Sequence, residues 1–142
     1  MTFYSPIEIR FRDLDALGHV NNAVYLSLVE QARIAYFRQI IDKNHDWKKF
    51  GVLIARNEIN YFNPVHIDDH VECGLNLIKL GTKSMEYSFE FRILKDGKQI
   101  KAADGKFVLV CFDPIKQESA PVPELWREKI TAFEKRDERP QS

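Results

Sequence analysis

Ten consecutive residues, Asp13-Leu14-Asp15-Ala16-Leu17-Gly18-His19-Val20-Asn21-Asn22, bring two carboxylates, an imidazole, a glycine and two amides together. Directly after them the chain turns apolar with helical spacing, so this stretch is the entry to a helix. That place has a chemistry of its own. The first N–H groups of a helix lack partners inside it and point outward. They form the positive end of the helix dipole, which favours a nearby carboxylate. A carbonyl oxygen set against them is stabilised as it gains negative charge, and losing one such donor typically costs roughly 3–4 kcal/mol in a transition state. Asp15 beside them suits a general base acting on water or a nucleophile attacking a carbonyl; the residues leave both open. Each residue also has an ordinary reading. An aspartate ahead of a helix is by default a cap or turn residue. Asp13 reads as structural, bonding loop amides, and Asn21 and Asn22 suit N-cap positions. Gly18 permits a backbone shape or close ligand approach that a side chain would block. His19 suits a proton carrier near neutral pH and, equally, a hydrogen-bonded loop residue.

Other chemically able side chains are scattered. Glu30 lies two turns into the helix among apolar neighbours, with Arg33 as a local partner. Glu58 interrupts an otherwise apolar segment. His45, His66 and His70 lack metal-ligand spacing with acidic neighbours, and a turn explains His66 with Asp68-Asp69, so no metal site is expected. Cys73 and Cys111 form no CxxC pair and read as small core residues in a reducing cytoplasm.

The elements that must position the entry loop follow from periodicity. Residues 6–11 alternate apolar and polar and predict a first strand. From about Asn22 to Ile41, Tyr25, Leu28, Val29, Ala32, Ala35, Tyr36 and Ile40 recur every three or four residues, predicting a helix of about five turns. Leu26, Ile34, Phe37 and Ile41 lie off that stripe, so the helix is expected to be buried on most sides. Strands are predicted over Val52–Phe62, over Val71–Leu77, over Met85–Ile93 and over Lys98–Phe112. Asp96-Gly97 is a hairpin turn. A short helix from Glu124 precedes a charged tail expected to be disordered. The expected fold is α+β, an antiparallel sheet with its helix on one face. One helix covers one face only, so the other face or an exposed edge is expected to pair with a second subunit.

The whole chain sets outer bounds. Its 142 residues fit one domain. Acidic and basic residues balance at 21 each, so bulk charge points neither to nucleic acid nor to a membrane surface. No apolar run reaches the ~20 residues of a membrane span, and MTFYSPIEIRFRD does not read as a signal peptide. A cytoplasmic protein is expected.

Residues 13–25, DLDALGHVNNAVY, resemble the signature of the 4-hydroxybenzoyl-CoA thioesterase-like family of hotdog acyl-thioester hydrolases. Weaker segments follow in the same order: YFNPV at 61–65, IDDHVE at 67–72, GTKS at 81–84 and CFD at 111–113. The likeness covers roughly residues 4–126, the core of a single domain spanning 1–142. The resemblance implies a hotdog fold, an antiparallel sheet of five to six strands wrapped around one long central helix. It implies homodimers with active sites at the subunit interface, often paired into homotetramers, and no metal or organic cofactor. It also implies an acyl-CoA thioesterase in which Asp15 is catalytic and the Asn22 backbone N–H polarises the thioester carbonyl. His19 is implied as an assistant, and Gly18 and Tyr25 as substrate-contacting residues within the motif. A helical carboxylate near the site corresponds to Glu30. Thr82, Lys83 and Ser84 match the segment that contacts the CoA nucleotide, whose phosphates call for cations or free N–H groups. His19 and Asn21-Asn22 are also similar to the plant acyl-carrier-protein thioesterases. Leu17 stands where those enzymes carry an asparagine, and their second hotdog domain is missing, which favours acyl-CoA. An acyl-carrier-protein thioesterase and a non-catalytic acyl-CoA-binding hotdog protein are the alternatives.

Overall fold

A computed structural model describes residues 2–135. The charged tail after them lies outside the described residues. Five long or medium strands and one short one form a single antiparallel sheet: β1 (Phe3–Ile7), β2 (Gly51–Tyr61), β3 (His70–Leu80), β4 (Ser84–Lys95), β5 (Lys98–Asp113) and β6 (Glu118–Ser119). Their order is β1-β3-β4-β5-β2, with β6 paired to β5. Helix α1 (Tyr25–Tyr36) lies on the concave face, and helix α2 (Glu124–Glu134) packs beside its C-terminal end. This is the α+β hotdog arrangement, a curled sheet around one main helix.

Alternation in β4 decides which face is the core. Met85, Tyr87, Phe89, Phe91 and Ile93 are buried, while Glu86, Ser88, Glu90 and Arg92 point to the outer face. That outer face is polar; Arg92 there pairs with Glu72 across β3 and lies 3.9 Å over the Tyr4 ring. The buried face meets Tyr25, Leu28, Val29, Ala32 and Tyr36 of α1. Full burial of such side chains contributes about 1.5–3 kcal/mol each. Asp96 and Gly97 both take positive φ, 53° and 73°, in the tight β4–β5 hairpin.

Three expectations need correction. The first strand runs over 3–7, not 6–11. Ile7 pairs with Val71 almost at the start of β3, so residues beyond it have no partner strand. There the Asp13 carboxylate takes the Arg10 N–H at 2.8 Å and turns the chain into a 3-10 turn, Phe11–Asp13. The helical run does cover 22–41, but as a 3-10 turn (Asn22–Val24), α1 and a π-helical turn (Phe37–Ile41). The π turn brings Phe37 and Ile41 into the core although they lie off the α-helical stripe. The helix is also not buried on most sides, since Leu26 and Ile34 are exposed at 40% and 47%. It packs on β1 and β3 and leaves the β2 side of the concave face uncovered.

Candidate active site

The entry loop is a small closed structure. Leu14 and Val20 form an antiparallel bridge. The Asp15 N–H donates to the His19 carbonyl at 2.7 Å, and the Gly18 N–H donates to the Asp15 carbonyl at 3.0 Å. Gly18 holds φ +78° with nothing within 4 Å of where a Cβ would sit, so backbone shape rather than crowding calls for glycine. The Val20 N–H donates to the Val65 carbonyl at 2.8 Å and ties the loop to the segment after β2.

The two aspartates have different surroundings. Asp13 is 2% exposed; its carboxylate holds the Arg10 amide and guanidinium, and its carbonyl accepts the Asn21 N–H at 2.9 Å. It is structural, as its ordinary reading has it. Asp15 is exposed, and its Oδ1 accepts the N–H groups of Leu17 at 2.9 Å and His19 at 3.2 Å. Among the described residues no donor reaches Oδ2. The loop's own amides thus hold one oxygen of this carboxylate and leave the other free of them.

The helix start sorts its amides in the same way. The Asn21 side-chain oxygen accepts from the Ala23 N–H at 3.0 Å, and the Asn21 carbonyl accepts from the Val24 N–H at 2.9 Å. Among the described residues the Asn22 N–H meets no acceptor. The Asn22 carbonyl accepts from the Tyr61 hydroxyl at 2.9 Å. Asp15, His19, Val20, Asn22, Tyr25 and residues 61–64 line one open cleft of about 210 Å³. Tyr25 is its buried floor, edge-on to Tyr61 at 5.2 Å, and burial pushes its hydroxyl pKa up to about 12.

Two contributors escape a reading of the sequence. Tyr61 appears there only as an apolar strand residue, yet its hydroxyl braces the helix start. His66 does sit in a turn, with its N–H donating to Asp69 Oδ2 at 2.8 Å. Its ring, however, stands edge-on to that of His19 at 4.9 Å, with Nδ1 3.5 Å from Asp69 Oδ2. Neither contact follows from local spacing, because each joins segments far apart in the chain.

Other predicted residues lie elsewhere in the chain. Ser84 is opposite Val110, which is opposite Leu53, whereas Tyr61 is opposite Ala103. Leu53 and Tyr61 are eight residues apart in β2, about 26 Å at roughly 3.3 Å per residue. Thr82, Lys83 and Ser84 therefore sit at the opposite end of the sheet from Asp15. Lys83 is exposed, its Nζ 3.4 Å from the Ser119 hydroxyl. Glu30 is on the exposed helix face, 4.0 Å from Arg33. Both line a second, apolar cavity of about 280 Å³ between the C-terminal half of the helical run and the sheet. Glu58 is on the outer face, 3.8 Å from Arg56, and takes no part in either cavity beneath the helix. Cys73 and Cys111 are buried core residues, and burial pushes the Cys111 thiol up to about 11. Among the described residues no three His, Cys, Asp or Glu side chains are grouped to hold a metal ion. No described helix is long and apolar enough to cross a membrane.

The sequence profile of the thioesterase-like superfamily matches residues 9–130. The long-chain acyl-CoA thioesterase FadM of Escherichia coli strain K12 is 27% identical over 129 residues, which is 89% of this chain and 95% of that protein. The acyl-CoA thioester hydrolase YbgC of Escherichia coli O6:H1 is 20% identical over 128 residues, 85% of this chain and 90% of that protein. Among solved structures, a thioesterase of Thermus thermophilus complexed with coenzyme A and zinc superposes with a TM-score of 0.77 at 40% identity, covering 94% of both chains.

Proposed function

The chain belongs to the thioesterase-like superfamily and is a thioester hydrolase, and from that premise we propose that it cleaves acyl-CoA with Asp15 at the reaction centre. The observation that supports this reading is that Asp15, with one carboxylate oxygen that takes no donor among the described residues, and Asn22, at the start of the helical run, line one cleft. The thioester carbonyl oxygen rests against the Asn22 N–H, where the helix start stabilises it as it gains charge. Asp15 Oδ2 then takes a proton from a water that attacks the carbonyl carbon, and CoA leaves as its thiolate. Alternatively Oδ2 attacks directly, the C–S bond breaks, and water opens the resulting mixed anhydride. His19 borders the cleft as the group that assists Asp15. Gly18 shapes the loop, and Tyr25 floors the site.

The same reading calls for a second copy of the chain. Strand β2 ends the sheet, is eleven residues long and exposes Leu53 and Ile54 at 52% and 46%. The outer face is polar, so the free β2 edge and the uncovered helix face are the surface to be paired. Antiparallel pairing of two β2 strands about a two-fold axis sets the Tyr61 end of one against the Leu53 end of the other. That brings the Asp15 cleft of one copy towards the Thr82–Ser84 turn and the apolar cavity of the other. The cavity takes the acyl chain, Glu30 stands at its mouth, and Lys83 meets the CoA phosphates. The Thermus relative's complex with coenzyme A supports CoA as the carrier.

Hydrolysis of straight-chain acyl-CoAs from butanoyl to hexadecanoyl, by wild type and Asp15→Asn, tests the reading. The variant is expected to lose about 10²–10⁴-fold in kcat/KM. Equal inactivity of both proteins at every chain length removes it. Offering one acyl group on CoA and on acyl carrier protein tests the carrier; preference for the carrier protein removes the Lys83 assignment.

A further inference from the structure

We propose that Trp47 is the end wall of the acyl pocket and sets the longest chain the enzyme accepts; this rests on the hydrolase reading above. The residues that line the 280 Å³ cavity include exposed ones from two segments, the helix and the loop before β2. At one, Glu30, Arg33 and Ile34 lie on the exposed face of α1, with Glu30 4.0 Å from Arg33. Polar side chains at that end suit the mouth, where the thioester must remain near water and charge. At the other, Trp47 lines the cavity while 46% exposed. The indole thus touches both the apolar interior and solvent. Between the ends the walls are buried: Leu75, Met85 and Phe107 from the sheet and Phe37 and Ile41 from the π turn. An aliphatic chain entering past Ile34 has one direction to grow, towards the indole.

The indole is held but not embedded. It sits on the loop between the π turn and β2, tilted on Phe37 at 4.6 Å and edge-on to His45 at 4.6 Å. The loop is pinned by His45, whose Nε2 lies 2.7 Å from the Phe50 carbonyl and whose ring also meets Trp126 of α2 at 5.3 Å. Backbone and indole are thus fixed from below by Phe37, His45 and Trp126. The opposite side of the indole faces water, so truncating it opens the far end rather than leaving a sealed void. A hydrophobic pocket discriminates one methylene by about 10–200-fold, so a wall of this kind gives a sharp cutoff.

The test measures kcat/KM along the butanoyl-to-hexadecanoyl series for wild type, Trp47→Ala and Trp47→Phe. The expected result is a length cutoff in wild type. Trp47→Ala should raise the ratio of the first rejected chain to the preferred chain by roughly tenfold or more, with Trp47→Phe between. A ratio that stays the same in all three proteins overturns the wall and leaves the hydrolase reading standing. Free fatty acids of the same lengths, binding measured calorimetrically, read the pocket without any hydrolysis. Tighter binding of the longer acids by Trp47→Ala supports the wall, and an unchanged length preference overturns it. Wild type that binds the acids with such a cutoff but hydrolyses no acyl-CoA keeps the wall and removes the hydrolase reading.

Discussion

The contrast between Asp13 and Asp15 shows how position assigns roles to two residues of one type. Asp13 is sealed by an arginine and a backbone amide and holds the loop's shape, while Asp15 spends one oxygen on its own loop and keeps the other open. Titration gives a second residue-level consequence. Burial raises the Cys111 thiol to about 11 and the Tyr25 hydroxyl to about 12. A free thiol ionises near ~8.5 and a free phenol near ~10. In each case the folded protein holds the proton after the unfolded chain has lost it. The stability these neutral groups contribute is thus complete below the unfolded values and is lost as pH rises through the folded ones. Stability should fall between about pH 9 and about pH 11 in thermal melts, on the order of 3 kcal/mol coming from Cys111. Cys111→Ala should flatten that part of the decline; an identical slope in the variant would count against the assignment.

At the level of elements, β5 carries one position that admits no substitution. Gly105 faces Phe89 across the β4 pairing, and a Cβ there would lie 2.7 Å from Phe89 Cζ and overlap the Glu58 carbonyl oxygen of β2. Gly105→Ala must push β2 outward or expel the ring, and we expect a loss on the order of 3 kcal/mol in urea unfolding. A change below about 0.5 kcal/mol, the range of neutral surface substitutions, would contradict this. This strand also illustrates what could be read ahead of the structure. Alternation in β4 and the Asp96-Gly97 turn were legible because each is a local rule obeyed in full. The helical run was legible in extent but not in its π turn, since Phe37 and Ile41 reach the core only by breaking the α period. The β1 bounds were missed because alternation continues through Ile9 and Phe11 after the partner strand has ended; Phe11 is 82% exposed. The Asp15 loop was legible from its motif. The His66 ring and the Tyr61 hydroxyl were not, because contacts between distant segments leave no local period.

On the scale of the whole molecule, the proposed pairing of two copies would cover apolar residues that remain in water in the single chain. Leu53 and Ile54 on β2, with Leu26 and Ile34 on α1, are exposed at 40–52% in the single chain. A charge at the strand edge opposes pairing, so Ile54→Glu should shift the protein to monomer in light scattering at micromolar concentration, with acyl-CoA hydrolysis falling in parallel. Monomeric wild type under the same conditions would remove the dimer.

The placement of Tyr61 and Leu53 at the two ends of one strand carries a genetic consequence. If each working unit borrows one half from either copy, two dead proteins can repair each other. Chains carrying Asp15→Asn, co-refolded in equal amounts with chains carrying Lys83→Glu at the proposed phosphate contact, away from the pairing surface, would form mixed pairs. In such a pair one unit collects both lesions and the other collects none. Random mixing would therefore restore roughly a quarter of wild-type activity from two inactive parents.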